Sequence, residues 1–168
     1  VPGLDGFDAA SADELRPLLI ACLAVPRWVD SLLAARPHRT AGALLAHAAR
    51  AARGLTRDEI LGAVSGHPRI GDRAASGWSR AEQSGVDPAD LPLADRLVAA
   101  NTAYEERFGH IYLVCATGLS GEEVLADLTR RMTNDADVEL RVVEGELAKI
   151  AVLRLEKVLA RRSTRTGG

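Results

Sequence analysis

Two cysteines, Cys22 and Cys115, are all that a chain of 168 residues contains. That is too few for a disulfide framework, and it fits a reducing compartment. An excess of one charge is missing too. The net charge is −2 at pH 7, so there is neither a basic footprint for nucleic acid nor a polybasic patch for a membrane surface. No apolar run approaches the roughly 20 residues that span a bilayer. No basic segment leading into a long apolar one opens the chain, so no secretory signal is expected; the chain begins at Val1, which leaves room for a removed segment. There is no internal repeat, linker or low-complexity boundary. The G-x-S-x-G elbow, the P-loop, the G-x-G-x-x-G fingerprint and a Ser-His-Asp order are all absent. A cytoplasmic location is expected.

What is present is an ordinary globular mixture, 47% hydrophobic and 26% charged, long enough for one domain with a sizeable core. Its punctuation is helical. Ser11-Ala12-Asp13-Glu14 is a capping box, opening a helix with Leu15, Leu18, Leu19, Cys22 and Leu23 on one side that ends before Pro26. Arg27 to Arg36 reads as a second helix, closed by Pro37. Thr40 precedes an alanine-rich helix to Arg53, and Gly54 is its natural stop. Thr56-Arg57-Asp58-Glu59 is another capping box, starting a helix with Ile60, Leu61 and Val64.

Residues 66 to 78 read as a loop. A short helical piece begins at Ser79 and stops at Gly85, and Asp87-Pro88 and Leu91-Pro92 mark a connector. Leu93 to Phe108 repeats apolar residues at helical steps and Gly109 ends it. Ser120-Gly121-Glu122-Glu123 caps a helix to about Met132. A long helix runs from Asp137 to about Arg162, followed by a polar tail, 163–168, expected to be disordered. Only Ile111-Tyr112-Leu113-Val114-Cys115-Ala116 lacks a clear period, and no comparable second run could pair with it as a strand. It is read as a buried irregular segment. The expected fold is all-α, a single compact domain over 1–168 with about seven to nine helices.

The residues that could carry chemistry cluster around Gly66-His67-Pro68-Arg69-Ile70-Gly71. Pro68 ends a helix and pushes His67 out of the α region, so the imidazole is held stiffly at a helix exit, with Gly66 and Gly71 easing the turn. Near neutrality a histidine held this way can exchange protons; it can equally serve only the carbonyls and dipole of the helix end. Glu82 sits in Ser79-x-x-Glu82, and could be no more than the reciprocal half of a capping box. Arg141 offers either a fork for an anionic or ureido group or a surface ion pair with Glu144 or Glu146. His38 and His47 are read as solvated or helix-surface residues, and His110 is left open. Asn101, Tyr104 and Arg107 are read as packing and surface positions. No histidine or cysteine pair has metal-ligand spacing, so no zinc site is expected.

Read together, Ser65-Gly66-His67-Pro68-Arg69-Ile70-Gly71, Ser79-x-x-Glu82-Gln83-Ser84-Gly85, Asn101-x-x-Tyr104-x-x-Arg107-Phe108-Gly109 with Tyr112-Leu113-Val114-Cys115-Ala116, and Glu139-Leu140-Arg141 with Glu146-Leu147-x-Lys149-Ile150 resemble one family. It is the 2-oxo-4-hydroxy-4-carboxy-5-ureidoimidazoline (OHCU) decarboxylase family, and the likeness runs over roughly residues 4 to 160. The resemblance implies a homodimeric all-α enzyme that needs no cofactor and no metal and forms (S)-allantoin in the last step of urate oxidation. It implies catalytic roles for His67 and Glu82. It implies substrate contacts from Pro68, from Ser79, Arg80, Ala81, Glu82 and Gln83, from Tyr112, Leu113, Val114, Cys115 and Ala116, and from Arg141. A functional link to urate oxidase and hydroxyisourate hydrolase goes with it. Some eukaryotic relatives end in Ser-Lys-Leu, whereas this chain ends Thr166-Gly167-Gly168, which fits a bacterial cytoplasmic version. Two other classes are weighed: a non-catalytic helical interaction module, and a hydrolase of a related ureide.

Overall fold

A computed structural model describes residues 3–70 and 91–160, in eight helices and no strands among them. In chain order these are α1 (Gly3–Ala9), α2 (Ala12–Cys22), α3 (Pro26–Ala34), α4 (Ala41–Ala51), α5 (Arg57–Ser65), α6 (Leu91–Phe108), α7 (Gly121–Arg131) and α8 (Ala136–Ala160). The all-α expectation holds. The capping boxes before α2, α5 and α7 form as read: Ser11, Thr56 and Ser120 each accept from the N–H three residues on, and Glu14, Glu59 and Glu123 reach back. Each such cap stabilises its helix by about 1 kcal/mol. Thr40 caps α4 through the Ala43 N–H, and Gly54 and Gly109 take φ of +67° and +75°, the left-handed region that a glycine enters without strain.

Two boundaries differ from expectation because a proline can open a helix as well as bound one. Pro26 is the first residue of α3, and α6 begins at Leu91, so Leu91-Pro92 is a first helical turn and not a connector. The loop after Ile70, the piece from Ser79 to Gly85, Asp87-Pro88 and the tail 163–168 lie outside the described residues. Among the described residues no helix is long and apolar enough to cross a membrane.

The described residues divide into two compact units, one made of 3–55 with 148–160 and the other of 56–70 with 91–147. In the first, Leu15 and Leu19 of α2, Trp28, Val29 and Leu32 of α3 and Leu44 and Ala48 of α4 are all buried. The Trp28 indole donates to the Ala48 carbonyl at 2.9 Å, tying α3 to α4. His38 and His47, read from the sequence as solvated or helix-surface residues, belong here. Both are half-buried with their rings edge to face at 6.0 Å; His47 Nε2 lies 2.7 Å from the Ser31 hydroxyl, and His38 Nε2 lies 3.2 Å from the Leu32 carbonyl.

Burial, then the positive charges of His38 and Arg50, hold the His47 pKa below its usual value of 6.5. The unfolded imidazole therefore takes up a proton first as pH falls. Stability contributed by neutral His47 is complete above about pH 6.5 and declines below it. Urea unfolding midpoints should fall between pH 7.5 and pH 5.5, and the fall should be shallower in His47→Gln. An equally steep fall in the variant would assign the effect elsewhere.

Candidate active site

The second unit is built around Ile70, Leu93, Leu97, Tyr104, Tyr112, Val114, Ala116, Val124, Leu125 and Leu128. His67 is presented by the end of α5. The helix stops at Ser65, the His67 N–H closes a last bond to the Val64 carbonyl at 2.9 Å, and Pro68 follows. The stiff exit read from the sequence is therefore present. Gly66 is not special, however: its φ is −83°, and a Cβ there would meet only the Ala63 carbonyl at an ordinary 3.7 Å. Gly71 lies outside the described residues.

His67 lines an open cavity of about 460 Å³ together with Ser65, Arg69, Glu105, His110 and Ile111. Arg69 makes a two-pronged ion pair with Glu105 of α6, Nε to Oε1 at 2.5 Å and Nη2 to Oε2 at 2.8 Å. This pair pins the residues just after His67 to the neighbouring helix. The Arg69 hydrogen bond, ahead of the cost of burial and the Arg69 charge, holds the Glu105 carboxyl below its ordinary value. A second cavity of about 430 Å³ is also lined by Arg69 and Glu105, together with Ile70, Val98, Asn101 and Thr102. Asn101 is buried there, its amide donating to the Leu97 carbonyl while Oδ1 has no partner among the described residues.

The segment 111–116 is neither helix nor strand, as expected, and Tyr112, Leu113, Val114 and Ala116 are buried. Outside any helix ladder, only some of its backbone groups find partners in the protein. The Leu113 carbonyl accepts from Arg131 Nη1 at 2.8 Å, and the Cys115 N–H donates to Glu146 Oε2 at 2.8 Å. The N–H groups of Tyr112, Leu113, Val114 and Ala116 make no hydrogen bond among the described residues. Backbone donors in buried residues ordinarily find partners.

What holds this segment is a buried charged network that sequence reasoning missed. Arg131 of α7 and Glu139 of α8 are 1% and 0% exposed. Arg131 gives Nε and Nη2 to Glu139 Oε1 at 2.7 and 2.5 Å, and its guanidinium lies 4.7 Å from the centre of the Tyr112 ring. Glu139 also accepts from the Tyr104 hydroxyl and, at 2.8 Å, from the Asn134 amide; Asp127 accepts from the Tyr112 hydroxyl at 2.6 Å. Burial first, then the bonds to Glu139 and Asp127, push both tyrosine pKa values well up, so both phenols stay protonated donors. Burial opposes the charges on Asp127 and Arg131, but their partners outweigh it: Asp127 is held low and Arg131 high. The sequence did carry a signal. Arg131 shares the spacing of the apolar Val124 and Leu128, and Glu139 that of Val143, where a charge faces the core.

Among the described residues, His67 is the one predicted site residue that lines the cavity of about 460 Å³. Arg141 is on α8, half-exposed and bonded to Glu144 at 3.1 Å, and neither it nor residues 112–116 line that cavity. Ser79, Arg80, Ala81, Glu82 and Gln83 lie outside the described residues. Of the two ion-pair partners weighed for Arg141, Glu144 makes the bond, and Glu146 accepts from the Cys115 N–H. Among the described residues no group of three or more His, Cys, Asp or Glu could hold a metal. Cys22 and Cys115 form no disulfide.

A model of the OHCU decarboxylase family matches residues 8–156. The chain is 33% identical over 112 residues to the 2-oxo-4-hydroxy-4-carboxy-5-ureidoimidazoline decarboxylase of Amia calva, a match covering 62% of this chain and 64% of that protein. It is 33% identical over 108 residues to the uric acid degradation bifunctional protein TTL of Arabidopsis thaliana, covering 60% of this chain and 33% of that one. The matched region thus spans just under two thirds of the first relative and a third of the second. In three dimensions the chain is similar to a crystal structure of OHCU decarboxylase in the presence of (S)-allantoin, with a TM-score of 0.72, 22% identity, and coverage of 90% of this chain and 100% of that one. It is also similar to a crystal structure of (S)-allantoin synthase, with a TM-score of 0.70 and 17% identity over 92% of this chain and 53% of that one. At these identities the likeness establishes the fold.

Proposed function

The chain belongs to the OHCU decarboxylase family, and from that premise we propose that it converts OHCU to (S)-allantoin, as the final step of urate oxidation. The observation that carries the reading is His67, held at the rigid exit of α5 on the wall of a cavity large enough for a small heterocycle.

The chemistry asks little of a protein beyond position. The bond between the ring carbon and the carboxylate breaks, and its electron pair moves toward the adjacent ring C=N, whose nitrogen takes a proton. Because the substrate carries its own electron sink, the reading needs no cofactor. The resulting enol then loses its hydroxyl proton and gains one on the neighbouring carbon, and the face that receives it sets the S configuration. His67 hydrogen-bonds the hydroxyl on the reacting carbon and manages its proton. Glu82 orients His67 or the substrate and shares in the stereospecific transfer. Pro68, the 79–83 stretch, backbone groups of 112–116 and Arg141 complete the contacts, the N–H groups of Tyr112, Leu113, Val114 and Ala116, without a partner among the described residues, being suited to ureido and ring carbonyls. A homodimer in the cytoplasm, working after urate oxidase and hydroxyisourate hydrolase, goes with this reading.

The test generates the unstable ureidoimidazoline in place, from urate with urate oxidase and hydroxyisourate hydrolase, and follows circular dichroism after adding the chain. Rapid build-up of (S)-allantoin is expected. Racemic product at the uncatalysed rate would point to a non-catalytic module, and consumption of allantoin to a ureide hydrolase.

A further inference from the structure

His110 is the second histidine on the His67 cavity, and none of the roles above uses it. It follows Gly109, whose φ of +75° turns the chain out of α6. Three contacts fix its ring. Nδ1 lies 3.0 Å from the Ile111 carbonyl, the Tyr104 ring meets it edge on at 5.6 Å, and the Phe108 ring stacks against it at 6.2 Å. A carbonyl oxygen can only accept, so Nδ1 is the protonated nitrogen and, in the neutral ring, Nε2 carries the lone pair. Nε2 makes no hydrogen bond among the described residues.

We propose that His110 is a substrate-binding residue whose Nε2 accepts a hydrogen bond from a ureido or ring N–H of the ligand in the cavity it shares with His67. The inference rests on the decarboxylase reading for the identity of that ligand, and on the cavity and the ring contacts for the role. The two histidines then divide the work: His67 handles the hydroxyl proton, and His110, its tautomer set by Ile111, supplies an acceptor to a substrate rich in N–H groups. Its fixed ring loses little freedom when the bond forms, which favours binding. The contact is made in ground state and transition state alike, so it lowers KM without changing kcat.

The experiment compares His110→Phe, which keeps the aromatic packing but removes the acceptor, with His110→Gln, whose amide can place an acceptor near the position of Nε2. In the coupled assay His110→Phe should raise KM about tenfold, the upper range for one lost hydrogen bond, with kcat within about twofold of the parent; His110→Gln should recover most of the loss. An unchanged KM in His110→Phe, or equal losses in both variants, would overturn the role. A second readout does not depend on turnover. In protein carrying ¹⁵N-labelled histidine, titration with (S)-allantoin should move the His110 Nε2 resonance, and a resonance that stays put at saturation overturns the assignment. A wild-type chain that gave no acceleration would remove the decarboxylase reading, and the titration would then decide His110 by itself.

Discussion

His67→Asn should lower turnover of the ureidoimidazoline by about 10²–10⁴-fold, the usual worth of a positioned proton-transfer group, and whatever allantoin forms should be close to racemic. Asparagine can keep a hydrogen bond, but it cannot hold and release a proton near neutrality. The fold should be little affected. His67 is half-buried, its N–H bond to Val64 is a backbone contact that asparagine keeps, and the exit geometry is set by Pro68. Melting temperature and far-ultraviolet dichroism of the variant should therefore match the parent. The deciding measurement is the enantiomeric composition of the product alongside its rate. Full speed with full S selectivity in His67→Asn would sink the mechanism, while a slow racemic reaction on a folded protein is what the mechanism requires.

The second large effect is on stability and lies away from the chemistry. Arg131→Ala should destabilise the chain by about 3–5 kcal/mol, because it leaves the fully buried Glu139 carboxylate without its cation. For a chain of this length that corresponds to a fall of roughly 10 °C or more in melting temperature. The cost is one of orphaned charge and not of lost attraction, so the double variant Arg131→Met with Glu139→Gln should recover a large part of it. Thermal unfolding of the two singles and the double gives the coupling directly. If Arg131→Ala melted within about a degree of the parent, the network would have no such role. Because the same guanidinium binds the Leu113 carbonyl, the single variant should also lose activity at temperatures where it is still folded.

The contrast between these two sites shows what was legible in the sequence. The place of His67 at a helix exit could be read from its immediate neighbours, since a proline acts on the residue just before it and needs nothing distant. The caps at Ser11, Thr40, Thr56 and Ser120 are local in the same way, each closing within three residues. Arg131 could not be read so directly, because the groups that give it meaning are Leu113 and Tyr112, 18 and 19 positions earlier, and Glu139, 8 later. Only its place on the apolar stripe of α7 hinted that it faces inward. The ion pair of Arg141 with Glu144, one of the two partners read for it, is local in the same way, whereas the bond of Glu146 to the Cys115 N–H, 31 residues away, is set by the tertiary fold. Gly66 erred the other way, its composition suggesting a backbone freedom that the chain does not use.

The pair of anchors on segment 111–116 has a consequence for the length of the chain. Irregular connectors are ordinarily where a protein accepts an added or deleted residue. Here Arg131 holds position 113 by its carbonyl and Glu146 holds position 115 by its N–H, so the stretch is gripped at two points two residues apart. Adding one residue before 113 shifts the numbering of everything the two charges grip and turns buried side chains such as Tyr112 and Val114 out of their places. The six residues that by secondary structure look most like a spare joint are thus the ones whose count is fixed, and lengthening belongs beyond Ala116, at the exposed Thr117 and Gly118.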